Sequence, residues 1–149
     1  MGRILVILLI TAALITLTIG LARRSRPATP RTLGAQVRGD RVRFVFRPKQ
    51  YQWTTYQGSG DSIPMRELRL RRVAVVGDFN DWNPRAWRLH EDEGKWVLSR
   101  SLRDLGSSEA FTFVVNDRFW VQSPPEAANR APLDRGGVGL RVARRLDPR

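Results

Sequence analysis

Apolar and polar positions alternate with a period of two through most of the chain after residue 40. Val42, Phe44 and Phe46 alternate with Arg41, Arg43 and Arg47. Val73 and Val75 share one face, with Ala74 and Val76 on the other. Trp96, Leu98 and Leu102, then Phe111, Phe113 and Val115, then Val138, Leu140 and Val142 repeat the pattern. Such alternation predicts half-buried strands. Turn chemistry separates them at Asn83-Pro84, Glu91 to Gly94, Asn116-Asp117, Ser123-Pro124-Pro125 and Gly136-Gly137. No helical stripe is evident after residue 40. The expected fold is all-β, an immunoglobulin-like antiparallel β-sandwich over residues 41–149. Lys49 to Arg66 interrupts the pattern with Tyr51, Trp53 and Tyr56, a Gly58-Ser59-Gly60-Asp61 run and Pro64. This stretch, 49–66, reads as an insertion, either a hairpin or a long loop. Its aromatics read as cover over the sandwich edge or as an extra ligand-contacting surface. Leu68 and Leu70 have the opposite parity from Val73 and Val75, which a bulge near Arg71-Arg72 would reconcile.

The N-terminus follows a different pattern. Ile4 to Ala22 carries no charge. As a helix these residues would span about 28 Å, close to the hydrocarbon thickness of a bilayer. One N-terminal transmembrane helix is therefore expected over residues 1–22. Arg3 precedes it, and Arg23, Arg24, Arg26 and Arg31 follow. The positive-inside rule then expects a single-pass anchor with the following domain in the cytoplasm. The alternative is export, with cleavage near Ala22 after the small-x-small triplet Gly20-Leu21-Ala22. Residues 23–40, with Pro27 and Pro30, read as a basic linker. Arg23, Arg24 and Arg26 could add electrostatic attachment to anionic lipid, at about 1 kcal/mol per cation.

Composition narrows the chemistry. The 149 residues contain no Cys and one His, so disulfides, Cys-ligated zinc and His-rich metal sites are excluded. The net charge is +12, and from residue 41 onward 18 Arg and 2 Lys oppose 13 carboxylates. That excess allows a polyanion or an anionic membrane as partner. The Arg residues are nevertheless spread over most strands without a nucleic-acid motif, so nucleic-acid binding is the weaker reading. Acidic pairs such as Asp78 with Asp81 and Glu91 with Glu93 lie in turns. They lack the cleft that a two-carboxylate glycosidase requires. His90 beside an acidic run reads as a solvated turn residue. No phosphate loop, nucleophile elbow or metal-ligand spacing occurs, so no enzyme activity, cofactor or metal is expected.

The most informative stretch is Gly77-Asp78-Phe79-Asn80-Asp81-Trp82, where a strand ends in a polar loop that carries a Trp. It is followed in order by Trp87 and Leu89, by Gly94-Lys95-Trp96, by Phe111 to Asp117 and by Trp120. This series resembles the starch- and glycogen-binding modules of isoamylases, branching enzymes and the beta subunit of AMP-activated protein kinase. The resemblance covers roughly Val42 to Val142. It implies non-catalytic binding of an α-1,4-glucan, with Trp82 and Trp120 as platforms for glucose rings and Asn80 and Thr112 as further contacts. If each platform removes about 100 Å² of apolar surface, it contributes about 2.5 kcal/mol. Two would support affinities from high micromolar to millimolar after ordering costs. Thr112 stands where the family often has a Lys. The turn before Trp120 is one residue longer than usual, and Gly136 to Gly139 offers no match for the family's sugar-contacting Asn. Trp87 and Trp96 read as core, and Asp78 and Asn80 also read as turn formers. A different class of function remains open: a protein-docking module at the membrane that has lost sugar binding.

Overall fold

The computed structural model describes residues 31–143. The expected anchor, residues 4–22, and Arg23, Arg24 and Arg26 lie outside the described residues. Among those described, no helix is long and apolar enough to cross a membrane.

The fold is all-β, with short 3-10 turns as its only helical elements among the described residues. Its strands are β1 (Ala35–Arg38), β2 (Arg41–Phe46), β3 (Trp53–Tyr56), β4 (Ser62–Pro64), β5 (Val73–Val76) and β6 (Arg88–Asp92). They continue as β7 (Lys95–Ser101), β8 (Ala110–Val115), β9 (Phe119–Val121), β10 (Arg130–Pro132) and β11 (Val138–Arg141). All pair antiparallel, in the order β1-β2-β7-β6-β5-β8-β9-β3-β4. β11 pairs with the start of β8, and β10 pairs with β11. The sheet curls because two strands divide their pairing. β6 bonds β5 through Arg88 and Leu89, then β7 through His90 to Asp92. β8 gives Ala110 and Phe111 to β11, and Val114 and Val115 to β9. Strands that change neighbours in this way bend a sheet back on itself.

The alternation places the core. Val42, Phe44 and Phe46 meet Val73, Val75, Phe111, Phe113, Val115 and Leu140 across the interior. Trp96, Leu98 and Leu102 pack on the same core as partly buried side chains. Phe44 and Phe111 meet edge to face at 5.1 Å, and Phe46 lies stacked on Tyr51 at 5.0 Å. Val76 and Val114, of the other parity, form a second small cluster with Trp82 on the outer face of the sheet.

Three expectations are corrected, and for the 49–66 stretch the hairpin alternative is the one found. Residues 35–38, assigned to the linker 23–40, form β1, and Leu33 and Ala35 are buried in the core. The alternation of Ala35 and Val37 is short and bounded by glycines, which hid it. Residues 68–72 lie outside the strands, so Leu68 and Leu70 pack on the core from a loop and need no bulge. Val138 is 44% exposed, because β11 contributes only Leu140 inward before Val142. The 49–66 stretch divides: Tyr51 enters the core and Tyr56 packs on Phe119 at 5.4 Å, whereas Trp53 stays 43% exposed. Its hairpin, β3–β4, pairs with β9 and so lengthens the sheet by two strands.

Candidate functional site

The Gly77–Trp82 turn is built from local chemistry. Gly77 is held where a Cβ would meet Phe79 Cε1 at 2.5 Å and the Ala110 carbonyl at 2.6 Å. No larger residue fits there without movement of the backbone. The Asn80 carboxamide accepts from the Gly77 N–H at 3.1 Å and donates to the Val75 carbonyl at 2.9 Å. Phe79 turns inward and stacks on Trp87 at 4.6 Å, and both rings reach Phe44. The turn is thereby fastened to the core, and Trp87 is part of that fastening.

Two residues in a row, Asp81 and Trp82, then adopt left-handed backbone angles, φ 54° and 56°. That conformation is unusual for a bulky side chain and needs surrounding contacts to hold it. They are present. The Trp82 N–H donates to the Gly77 carbonyl at 3.0 Å, and its indole Nε1–H donates to Asp78 Oδ1 at 2.6 Å. Its ring packs against Val76 and Val114 and is 6% exposed. The Arg135 guanidinium stands 5.8 Å above it, within cation–π range. The Asp134 carboxyl, beside Arg135, faces that of Asp78, and the two form a hydrogen bond when they share one proton. That bond, with the Trp82 indole next, holds the Asp78 carboxyl below the usual range, and the same bond pushes Asp134 up. The segment around Asp134 and Arg135 therefore closes over Trp82.

Trp120 arrives from the β8–β9 hairpin. Asn116 and Asp117 take φ 51° and 63° and turn the chain. Asn116 accepts from the Arg71 and Arg72 N–H groups and donates to the Arg69 carbonyl, which ties the turn to the loop before β5. Arg72 pairs with Asp117 at 2.9 Å. The longer turn leaves Trp120 opposite Val114 and Thr55. Its ring lies 6.3 Å from Trp82, the planes tilted by 30°. A hollow of about 430 Å³ opens beside Trp120, bordered by Thr55, Gln122, Ser123, Arg130 and Leu133. The Gln122 carboxamide nitrogen donates to the Thr55 and Ser62 hydroxyls at 3.0 Å each, so the inserted hairpin forms one side of it.

The four expected site residues thus fall into two groups. Trp82 and Trp120 come together on the outer face, but only Trp120 is partly open, and Trp82 lies behind it. Asn80 spends both ends of its carboxamide inside the turn, and Thr112, 4% exposed, donates its hydroxyl to the Val121 carbonyl at 2.9 Å. Asn80 is thus bonded within its own turn, and Thr112 is bonded to β9 while bordering the hollow beside Trp120. Sequence reading missed Gln122, Thr55 and Arg130, because only the pairing of β3 with β9 carries Thr55 to Trp120. Among the described residues, no three acidic or His side chains cluster in a way that could hold a metal. Compared with known proteins, the chain matches no family model, and no curated protein matches it.

Proposed function

We propose that this chain is a non-catalytic α-glucan-binding module of immunoglobulin-like type, tethered to a membrane through residues 4–22. The observation that carries the reading is the meeting of Trp82 and Trp120 beside a polar hollow. A pyranose ring has an apolar C–H face and a polar edge. Trp120 offers the flat apolar wall, and Thr55, Gln122, Ser123 and Arg130 border the space that hydroxyls would occupy. Trp82 supports the platform from behind. One open platform contributes about 2.5 kcal/mol, so a short oligosaccharide binds in the millimolar range or weaker. A glucan polymer with many copies of the epitope gains by avidity. The domain's Arg excess contributes little to a neutral ligand, and binding should barely respond to salt.

The test is co-sedimentation of the full chain, held in mild detergent, with glycogen, together with Trp fluorescence titration by maltoheptaose. Trp120→Ala, checked for folding by circular dichroism, should abolish saturable binding. A folded wild-type chain that neither co-sediments with glycogen nor responds to maltoheptaose at about 50 mM oligosaccharide, a few times the expected Kd, would sink the reading. Attention would then pass to a protein partner on the same face.

A further inference from the structure

A larger cavity than the hollow beside Trp120 lies elsewhere, under the inserted hairpin. It encloses about 680 Å³ between the 3-10 turn at Pro48–Gln50 and the β3–β4 hairpin. Trp53, Pro64, Met65 and Leu70 give it apolar walls, and Lys49 and Arg66 stand at it as exposed cations. Neither cation has an ion-pair partner among the described residues; the acids nearby are Glu67, next to Arg66 in the chain, and Glu126, which borders a hollow with Lys49. Tyr51 also lines the cavity. It is 4% exposed, and its phenol oxygen is buried without a hydrogen-bond partner. The cavity therefore suits a ligand with an apolar body and negative charge at its end.

The path of the chain gives that ligand a source. β1 runs antiparallel to β2 with Ala35 opposite Phe44, and the Val45 N–H donates to the Gly34 carbonyl. Traced backward, the chain leaves the sheet toward Pro48, and Arg31 bridges Ala127 there. A second hollow, bordered by Arg31, Lys49, Gln52 and Glu126, adjoins the first and shares Lys49 and Gln52 with it. Residues 1–30 thus join the domain at the corner that holds the apolar cavity. If residues 4–22 cross the bilayer, the eight residues 23–30 can hold this corner no more than about 28 Å from it.

We propose that this corner docks on the anionic surface of that bilayer and takes one anionic phospholipid. The cavity receives one acyl chain of the lipid, Lys49 and Arg66 meet its phosphate, and exposed Trp53 lies at the interface, where indoles are favoured. The proposal rests on the membrane-tether reading and extends it from the linker to the folded domain. At about 1 kcal/mol per cation, two cations are worth about 30-fold in surface occupancy.

The absence of Cys makes a clean test. Full-length chains carrying Gln52→Cys, or Asp40→Cys at the far end of β2, are labelled with an environment-sensitive fluorophore. They are reconstituted in phosphatidylcholine vesicles with or without phosphatidylglycerol, and quenching by headgroup spin-labelled lipid is read. Quenching at position 52, weak at 40, dependent on phosphatidylglycerol and lost in the Lys49→Glu/Arg66→Glu double variant is the expected result. Trp53→Ala, an exposed position, should weaken it without unfolding the chain. Equal quenching at 52 and 40, or indifference to phosphatidylglycerol or to charge reversal, overturns the docking. Carbonate extraction separates the two readings. A chain that resists extraction yet shows equal quenching keeps the tether and loses the docking. An extractable chain with selective quenching does the reverse.

Discussion

The indole of Trp82 donates to the carboxylate of Asp78 at 2.6 Å, and this short local bond sets the orientation of the ring that backs Trp120. The partners are four positions apart, and the Trp82 N–H closes the turn on the Gly77 carbonyl. Asp78→Ala should leave the fold intact and lower the denaturant midpoint with an unchanged slope. It should also shift the Trp emission, because Trp82 loses its acceptor. An unchanged emission spectrum would show that this bond does not hold the ring.

Gly77 tests the turn from its other end. A Cβ there would strike Phe79, which is stacked on Trp87, and the Ala110 carbonyl, which is backbone at the start of β8. Phe79 can shift only by breaking its stack, and the carbonyl cannot swing away freely. Gly77→Ala should therefore cost about 1–3 kcal/mol, the range for overpacking. Urea titration of the variant measures it, and a loss below about 0.5 kcal/mol would show that the turn yields.

Much of this turn was legible in the sequence because its bonds are local. Asn80 reaches only back to Gly77 and Val75, and Phe79 follows directly from the glycine that makes room for it. The strands β2, β5 and β8 were legible for the same reason: period two is written in neighbouring residues. What covers Trp82 was not. Arg135 and Asp134 lie more than fifty residues downstream in a Gly-rich loop, and no pattern near Trp82 refers to them. Thr55 reaches Trp120 only through a pairing of β3 with β9, and the bond from Thr112 to the Val121 carbonyl depends on how β9 lies against β8.

Asn129 shows the same limit in the core. It is 9% exposed and bonds the N–H and carbonyl of Leu33, 96 positions away, and the carbonyl of Arg141. One carboxamide thus fastens the entry of β1 to the end of β11. Asn129→Ala would leave a buried N–H and two carbonyls unpaired, at about 1–3 kcal/mol for each group that water does not reach. Hydrogen exchange at the Leu33 amide should accelerate before exchange in β5 or β8. Uniform acceleration across the sheet would mean that the two ends are not joined through this residue.

The Asp78–Asp134 contact predicts a pH response at the cover over Trp82. Asp134 is raised above its ordinary value, so its contribution is fully present below the ordinary carboxylate pKa and is lost as pH rises through its folded value. Asp78 is lowered, so its contribution is present above the ordinary value and is lost as pH falls through its own folded value. The pair is therefore tightest between the two, on either side of the ordinary value of 3.8, where one proton is shared. At higher pH both are charged and repel, and Arg135 and the Trp82 indole face Asp78 alongside Ser108. Acrylamide quenching of Trp82, read as the difference between wild type and Trp82→Phe, should increase as pH rises through the Asp134 transition. Asp134→Asn, whose amide can donate to Asp78 at every pH, should flatten the profile. A profile unchanged by that substitution would remove the pair as its cause.

The two tryptophans should separate in a comparison of stability with binding. Trp82 is buried with Val76 and Val114 under Arg135, so Trp82→Ala opens a large cavity and costs about 3–5 kcal/mol. That loss is comparable to the stability of a small domain, so the milder Trp82→Phe is the useful variant. Phe keeps part of the packing but has no indole N–H for Asp78. It should lower the thermal midpoint and leave glycogen co-sedimentation within a few-fold of wild type. Trp120 is partly open, and its removal exposes less new surface. Trp120→Ala should cost less stability than Trp82→Ala and abolish co-sedimentation. If Trp82→Phe abolishes binding while Trp120→Ala spares it, the open platform is Trp82, which requires the loop at Asp134 and Arg135 to lift from it when a glucan binds.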